Sequence, residues 1–546
     1  MSWRQYVPKI VTVWREGYGF GDFRRDCLAG LTVAIVALPL AMALGIASGT
    51  TPDKGLLTAV VAGFIISALG GSRVQIGGPT GAFVVVVANV IHTFGYDGLV
   101  LATLMAGVIL VIAGAARLGT WVKYMPEPVV TGFTAGIAVI IFTSQLKDLF
   151  GLSLAEAPPE FAQKLMAFWT ARDTATPAAM LIAGISLALI IALRRFAPRA
   201  PAFLIAVVGA SVAAMVFGLQ VDTIGSQFGD LPRSLPAPAL PSWDAAKLRA
   251  LIPSALTIAF LAGVESLLSA VVADGMTGYR HRSNAELVGQ GVANIASALF
   301  GGMPATGAIA RTATNIRAGA RSPVAGMMHA VFLLAFMMVA APLANYVPLA
   351  VLAAVLTMVA WNMSDAPRVL HLLSAPLGDR VVLILTFSLT VLVDLTVAIE
   401  VGVVLASILF MHRMAQVAGI GRDGDDDEGA AQRTDLPPGI EVYQFQGPLF
   451  FGVTNRLTEV LQRTAAKPKA FILRMRLVPL IDASGVSALA QFLDRCRKDK
   501  TVVIFAGLQP DAEKVMQRMG VFANPEGVWR ADGYAQAIEM AREIPG

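Results

Sequence analysis

The stretch GGPTGAFVVVV at residues 77–87 places two glycines and a proline directly before an apolar run. A second stretch, GGMPATGAIART at residues 301–312, repeats Gly-Gly, a proline and Thr-Gly-Ala in the same order. A single break of this kind in an apolar helix is typical of a kink or a packing contact. Two matching breaks, each expected in the third span of its half of the chain, instead predict an inverted repeat in which irregular backbone lines a cavity.

The composition indicates a membrane protein. Hydrophobic residues make up 56% of the 546 residues and charged residues 14%, whereas soluble domains carry about 25% charged residues. Residues 28–52 and 55–72 contain no charge, and residues 251–272 contain only Glu265, so these runs are long enough to span a bilayer. The sequence predicts an α-helical membrane protein with about fourteen transmembrane segments, two of them short, in two inverted halves of about seven.

Charge and composition divide the chain into four parts. Residues 1–25 contain five basic residues and no cleavage-site pattern, which predicts a retained cytoplasmic or interfacial N-terminus. Basic residues concentrate in short loops on one side, which predicts that both termini lie in the cytoplasm. We expect a transmembrane domain at residues 26–413, an acidic linker at 414–437 and a small α/β domain at 438–546, with strands near 439–445, 470–475 and 501–505.

Several classes of protein do not fit the sequence. It contains no Walker phosphate-binding motif, which argues against an ATP-driven pump. Its two cysteines, Cys27 and Cys496, indicate no disulfide framework, and its five histidines show no metal-ligand spacing. We therefore expect no metal, no cofactor and no enzymatic activity, and contact with lipid rather than with nucleic acid.

The two breaks predict an anion site. If the short helices begin near the middle of the membrane, the free N–H groups of residues 80–83 and 306–309 converge, and each helix end carries about half a positive charge. Glycines let a ligand approach the backbone, and threonine hydroxyls cap or donate. Arg311 adds a full charge, unless it pairs with a structural carboxylate or reaches the membrane surface. The expected substrate-binding residues are Thr80, Gly81, Ala82, Phe83, Thr306, Gly307, Ala308 and Arg311.

Glu265 is an acid in an otherwise uncharged span, where an ionised carboxylate is costly. It should therefore face the interior of the bundle, either protonated or paired. One interpretation is a structural acid bonded to the backbone of a broken helix. The other is a coupling site at which a proton enters together with the anion, with Ser269 on the same helix face four residues later.

These residues also carry a resemblance to a known family, which covers essentially the whole chain. The stretches that resemble the SulP anion transporters, also called solute carrier family 26, are GGPTGAF, ESLLSAVVADGMTG, NAELVGQGVANI, GGMPATGAIARTATNIRAGARSP and VPLIDASGVSAL. The resemblance implies core and gate domains built from inverted repeats, elevator-like alternating access, a cytoplasmic STAS domain and a homodimer. It also implies that Glu265 occupies the family's acidic eighth-span position and that its anion site comprises Thr80, Gly81, Ala82, Thr306, Gly307 and Ala308.

Within the family, residues 252–323 most resemble the bacterial C4-dicarboxylic acid transporters, which take up succinate, fumarate and aspartate with protons. The sodium-coupled bicarbonate branch typically has Asp at the Glu265 position and a hydroxyl residue at that of Ile309, so this chain departs from it. We therefore expect secondary active, proton-coupled uptake of C4-dicarboxylates, with sulfate or bicarbonate as alternatives. Charge does not choose between dianions, because about +1 from two helix ends and +1 from Arg311 suit sulfate equally well when Glu265 is protonated.

Other interpretations stay open. A passive anion channel would share the site, although Glu265 argues against it, and a membrane-anchored signalling scaffold would need no site in the membrane.

In the STAS tail, DASG at residues 482–485 resembles the turn in which anti-sigma antagonist domains phosphorylate a serine, and Ser484 matches by position. The alternative is a plain strand-to-helix turn with capping residues. We expect this domain to be regulatory or structural, with a cytosolic protein as its partner.

Overall fold

The computed structural model describes residues 5–120, 125–154, 158, 160–198, 200–417, 419–422, 438–450 and 468–544. The chain forms two compact units, Met1–Val403 and Val404–Gly546. The division at residue 403 falls before residue 413, where the sequence places the end of the transmembrane domain. It lies within the last long helix of the chain.

The first unit is built almost entirely from helices. Its first part contains α1 Lys9–Arg15, α2 Phe20–Ala47, α3 Pro52–Leu69, β1 Gly77–Gly78, α4 Ala82–Ala115, α5 Glu127–Phe150, α6 Phe161–Thr170, α7 Pro177–Phe196, α8 Ala202–Val216 and α9 Ile224–Phe228. Its second part contains α10 Ala245–Thr277, α11 Ser283–Leu299, β2 Thr306–Gly307, α12 Ile309–Arg317, α13 Val324–Ala344, α14 Leu349–Ser364, α15 Ala366–Leu372, α16 Leu377–Leu392 and the start of α17 Leu395–Val417.

Many of these helices are apolar enough to lie in a membrane. Among the described residues, nine are long and apolar enough to cross one, and α8 is a shorter apolar helix. The backbone of α4 departs from helical geometry at Gly95, where φ is 72°, so α4 consists of two helices joined at a kink. The α-helical membrane fold is confirmed. The count of about fourteen segments stays a prediction, which requires α4 to count as two segments and α8, α11, α12 and α16 to be included.

The helices of the first unit pack in two groups. The first group contains α2, α3, α4, α10, α11, α12 and α13, and the second contains α5, α7, α14 and α16. Both breaks predicted from the sequence, β1 and β2, lie beside helices of the first group. The first group therefore holds the candidate site.

Glycines bring α4 and α11 of the first group unusually close. A Cβ atom on Gly107 of α4 would lie 2.7 Å from the carbonyl oxygen of Gly291 on α11. A Cβ atom on Gly291 would lie 2.6 Å from the carbonyl oxygen of Gly107. The two backbones are thus in contact, which is how small residues let helices associate where lipid gives no hydrophobic driving force.

The second unit contains a five-stranded sheet in the order β3-β4-β5-β6-β7. The first two strands pair antiparallel and the others parallel. Apolar clusters cover both faces of the sheet, as expected where strands alternate with helices. The elements are β3 Gly419–Arg422, β4 Ile440–Gln446, β5 Ala470–Leu477, α18 Ala483–Lys498, β6 Val502–Ala506, α19 Pro510–Arg518, β7 Val528–Ala531 and α20 Tyr534–Arg542.

The sequence locates most of this second unit. The three expected strands correspond to β4, β5 and β6, and the small α/β domain is confirmed. Strand β3, however, lies inside residues 414–437, the range expected to be a linker. A four-residue edge strand carries little hydrophobic pattern, so its pairing with β4 was not visible in the sequence. Residues 423–437, which include the acidic run, lie outside the described residues.

Cys496 offers a test of the second unit. It lies on α18 with 5% of its surface exposed, and burial raises the pKa of its thiol to about 12. Only the thiolate reacts with maleimides. In a Cys27→Ser variant, whose single thiol is Cys496, we expect N-ethylmaleimide at pH 8 to modify the folded protein at least about a hundredfold more slowly than an exposed thiol. Mass spectrometry measures the modified fraction.

Denaturation in SDS is the control, because it should expose Cys496 and allow complete modification. Rapid modification of the folded protein would contradict the buried position of this side chain.

Candidate anion site

The two breaks in the sequence meet in the structure. Strands β1 and β2 pair antiparallel, with Gly77 opposite Gly307 and Gly78 opposite Thr306. Each strand is followed within a few residues by a helix, α4 after β1 and α12 after β2. The backbone therefore brings the two interrupted segments together, as the sequence predicts.

Two further hydrogen bonds extend this short ladder. The N–H of Ala308 donates to the carbonyl of Ile76 at 2.8 Å, and the N–H of Ile76 donates to the Thr312 hydroxyl at 3.0 Å. The expectation that all N–H groups of residues 306–309 are free is therefore wrong at Ala308. Its donor satisfies a backbone carbonyl that would otherwise be buried without a partner.

Helices α4 and α12 begin at these breaks. Helix α4 begins at Ala82 and α12 begins at Ile309. The first N–H groups of a helix have no acceptor within it, and they give the helix end a partial positive charge. Phe83, which the sequence places at the site, does not offer such a group. Its N–H donates to the carbonyl of Thr80 at 3.3 Å, and its side chain is fully buried.

The two threonines of the breaks both donate to α10. The Thr80 hydroxyl donates to Oε2 of Glu265 at 2.8 Å. The Thr306 hydroxyl donates to the carbonyl of Ala262 at 2.8 Å. Of the two roles expected for these hydroxyls, the structure shows donation. Thr80 therefore joins the start of α4 to Glu265. The hydroxyl of Thr306, in contrast, is already bonded to the backbone of α10.

Ser269 lies on the same helix as Glu265 but has a different partner. Its hydroxyl is 3.2 Å from the hydroxyl of Thr312 on α12, and both side chains are buried. The sequence groups Ser269 with Glu265 at a coupling site. The contact with Thr312 instead ties α10 to α12, so any part of Ser269 in coupling stays a prediction.

Arg311 lies behind β1 with 3% of its surface exposed. Its Nη2 donates to the carbonyl of Pro79 at 2.7 Å. A Cβ atom on Gly78 would lie 2.5 Å from its Nη1, and Gly78 has a φ of 151° that side-chain-bearing residues rarely adopt. Arg311 thus supplies positive charge to the site from behind the broken segment.

The accessible part of the site is small. Glu265 is half-buried, Ile309 is 38% exposed and Ala310 is exposed, whereas the threonines of both breaks are buried. The exposed surface of the candidate site is therefore formed by Glu265 and the first turn of α12.

Gly81 lies where the two helical groups meet. A Cβ atom on Gly81 would lie 3.1 Å from Cδ1 of Ile141 on α5 and 3.1 Å from the sulfur of Met363 on α14. Both of those helices belong to the second group. The start of α4 thus faces an apolar wall across the boundary between the groups.

Gly307 has a different environment from Gly81. A Cβ atom there would lie 1.6 Å from Nε2 of Gln75, so the amide of Gln75 occupies the space that a side chain would need. The sequence explains Gly307 by the approach of a ligand to the backbone. The structure shows that a protein side chain already lies against it.

A buried polar cluster beside the site was missed by the sequence analysis. It consists of Gln75, Ser266, Glu286 and Gln290, and Glu286 has none of its surface exposed. Glu286 and Gln290 are four residues apart on one face of α11, a spacing that could have indicated a hydrogen-bonded pair. Their contact with Gln75 and Ser266 depends on the tertiary fold.

Two remaining predictions concern metals and Ser484. Across the described parts of the chain, no group of three or more His, Cys, Asp or Glu residues could hold a metal ion.

Ser484 is half-buried in the first turn of α18, where Asp482 accepts a hydrogen bond from the N–H of Gly485 at 2.8 Å. This is the geometry of a capped strand-to-helix turn, and a regulatory role of Ser484 stays a prediction.

The chain is similar to known proteins. The Sulfate permease family matches residues 23–386 and the STAS domain matches residues 432–530. The chain is 43% identical to the Bacillus subtilis (strain 168) protein named "Putative sulfate transporter YvdB", over 93% of this chain and 96% of that one. It is 30% identical to the "Bicarbonate transporter BicA" of Picosynechococcus sp., over 92% of each chain. Its fold is similar to that of murine Solute Carrier 26 family member A9, with a TM-score of 0.86 at 17% identity, covering 98% of this chain and 94% of that one.

Gly81 provides a test of the boundary between the helical groups. We expect Gly81→Ala to lower the initial rate of anion uptake up to about fivefold, because the added methyl group fits only if Cδ1 of Ile141 and the sulfur of Met363 move aside. The measurement is uptake of radiolabelled anion into proteoliposomes containing equal amounts of protein.

Gly275→Ala is the matched control. It adds the same methyl group to α10 at a position with open space, so it should leave uptake unchanged. Equal uptake by both variants would contradict a tight contact at Gly81.

Proposed function

Because the chain belongs to the Sulfate permease family of anion transporters, we propose that it is a secondary active transporter that carries a divalent anion together with a proton. One observation carries this proposal. The hydroxyl of Thr80, at the start of α4, donates to the carboxyl group of Glu265. A group that can take up a proton is thereby hydrogen-bonded to the helix end that would bind the anion.

The charges around the site suit a dianion. Two helix ends contribute about +1 together, and Arg311 adds a full positive charge from behind β1. The sum balances a charge of −2 when Glu265 is neutral. An ionised Glu265 would leave one positive charge to bind the same anion, so binding is weaker in that state.

Protonation of Glu265 therefore favours anion binding in two ways. A neutral carboxyl group does not repel the anion, and its hydroxyl can donate a hydrogen bond to it. Glu265 is half-buried, so part of its side chain reaches the surface of the helical group. In this mechanism the proton and the anion enter together and leave together, which is the requirement for symport.

Movement of the first helical group against the second would expose the site to each side of the membrane in turn. The close approach of Gly81 to Ile141 and Met363 supports a boundary at this place. Since β1, β2, α4 and α12 all lie in the first group, both halves of the site would move together. This is elevator-like alternating access, in which a helical group carries its substrate across a fixed partner.

C4-dicarboxylates are the first candidate substrates, because residues 252–323 resemble transporters of that class. Sulfate is the second candidate, since the relative at 43% identity is named for sulfate transport. Bicarbonate is a weaker candidate. The relative named for bicarbonate transport is more distant at 30% identity, and Glu265 and Ile309 depart from the residues typical of the sodium-coupled bicarbonate branch.

We further propose that the protein resides in a bacterial inner membrane with both termini in the cytoplasm and assembles as a homodimer. The support for the topology is the concentration of basic residues in short loops on one side. The STAS domain would then lie in the cytoplasm, where Ser484 and a cytosolic protein partner could regulate transport.

Uptake measurements with the full-length protein test the substrate and the coupling ion. Proteoliposomes should accumulate a dianion, either succinate or sulfate, when the outside is more acidic than the inside. Each coupled proton raises the accumulation ratio up to about tenfold per pH unit. An inward sodium gradient at constant pH is the control and should have no effect. Accumulation driven by sodium, or uptake indifferent to both gradients, would contradict proton symport.

Glu265→Gln tests the coupling residue. Gln is neutral like a protonated Glu and keeps its size, so the variant should still exchange anion across the membrane but should not accumulate it in response to a pH gradient. Glu127→Gln is the control, because Glu127 forms an exposed ion pair with Arg368 at 2.7 Å and should behave like the wild type. Proton-driven accumulation that persists in Glu265→Gln would assign coupling to another group.

A further inference from the structure

We propose that Glu286 is a positioning residue for anion binding, which acts through Ser266 and Gln75 to hold β2 and the first turn of α12 in place. None of these three residues belongs to the expected substrate-binding set. The proposal rests on the assignment of anion binding to the two helix ends, and it adds the buried residues that fix the second of them.

Glu286 has the hydrogen-bond pattern of a buried ionised carboxylate. Its Oε2 accepts from the N–H groups of Gly71 and Ser72, at 2.7 and 3.2 Å. Its Oε1 accepts from the Ser266 hydroxyl at 2.8 Å and from Nε2 of Gln290 at 3.0 Å. An ionised carboxylate only accepts hydrogen bonds, and all four of these partners donate. Glu286 thereby joins α11 to α10 and to the segment that leads into β1.

Ser266 connects Glu286 to Gln75 through hydrogen bonds. A hydroxyl group has one hydrogen, and in Ser266 it points to Glu286. The Ser266 oxygen is therefore left as an acceptor, and Nε2 of Gln75 donates to it at 2.9 Å. The same nitrogen lies 3.2 Å from the carbonyl oxygen of Ser266. The negative charge of Glu286 thus orients the Ser266 hydroxyl, and the hydroxyl orients the amide of Gln75.

Gln75 in turn supports β2. The three atoms nearest to a Cβ built on Gly307 are Nε2, Cδ and Cγ of Gln75, at 1.6, 2.7 and 3.2 Å. Gln75 is buried, and two hydrogen bonds from its Nε2 to Ser266 hold its amide in this contact. Gly307 is the last residue of β2 and lies two residues before the start of α12. The amide of Gln75 therefore packs against Gly307 and fixes the position of the backbone that leads into α12.

The arrangement predicts an effect on affinity rather than on the chemistry of transport. Displacing the amide of Gln75 would shift the N–H groups at the start of α12 away from the anion. The Michaelis constant for the anion should then rise, while the maximal rate, which depends on movement of the helical groups, should change little. A purely structural role would instead lower the amount of folded protein and the maximal rate.

A double-mutant cycle between Gln75 and Gly307 tests the contact. Gly307→Ala alone should raise the Michaelis constant at least about tenfold, because its methyl group collides with Gln75. Gln75→Ala alone should raise it about threefold to tenfold. The double variant should be no worse than Gln75→Ala, since the new methyl group enters the space that the amide leaves. The measurement is the initial rate of anion uptake over a range of succinate or sulfate concentrations.

A second set of variants tests the link to Glu286. Glu286→Gln places a donating amide among four donors and should raise the Michaelis constant about tenfold, with the maximal rate within about twofold of the wild type. Ser266→Ala removes the connection and should act in the same direction. Glu127→Gln is the control acid at an exposed position and should leave both constants unchanged.

The outcomes separate this proposal from the proposed function. A wild type that neither transports nor is thermally stabilised by succinate, sulfate or bicarbonate overturns the proposed function, and the positioning role falls with it. Normal wild-type uptake combined with a double variant worse than both single variants overturns only the positioning role. In that case Gly307 is needed for approach of the anion. Size-exclusion chromatography and melting temperature confirm that each variant is folded.

Discussion

The membrane requires that almost every backbone polar group find a partner within the protein, and the site of this transporter depends on that constraint. A helix broken in the bilayer exposes donors and acceptors that water cannot reach. Here the two breaks satisfy much of this requirement for each other, because β1 pairs with β2 and the ladder continues through Ala308 and Ile76. Some donors at the first turns of α4 and α12 have no acceptor within their helix, and in the proposed function these donors bind the anion.

The sequence located the two breaks because their composition is local and repeated. Gly-Gly, Pro and Thr-Gly-Ala are visible without any knowledge of the fold, and an acid in an apolar span is equally visible. The sequence did not show which acceptor each of these donors binds. The N–H of Ala308 and that of Phe83 are occupied, and the buried cluster around Glu286 joins residues about two hundred positions apart, such as Gln75 and Ser266. Contacts at such separation depend on helix packing, which periodicity does not encode.

The same chain places two glutamates in different environments within one group of helices. Glu286 is fully buried and accepts four hydrogen bonds, so its charge is satisfied and its position is fixed. Glu265 is half-buried, and the Thr80 hydroxyl donates to it. Two residues of the same type thus have different surroundings, because four donors enclose the carboxylate of Glu286, whereas Glu265 has one such donor and remains partly exposed. Glu286 lies on α11 and Glu265 lies on α10, and these two helices are in contact.

The paired glycines Gly107 and Gly291 have a mechanical consequence. Helix α4 begins at the first break, and α11 carries Glu286, which accepts hydrogen bonds from Ser266 and from the segment before β1. Because the backbones of the two helices touch at these glycines, neither helix can bend or slide at that level without the other. The contact thus joins α11 to the part of α4 that follows the kink at Gly95. Under the proposed alternating access, these two helical segments would therefore move as a unit.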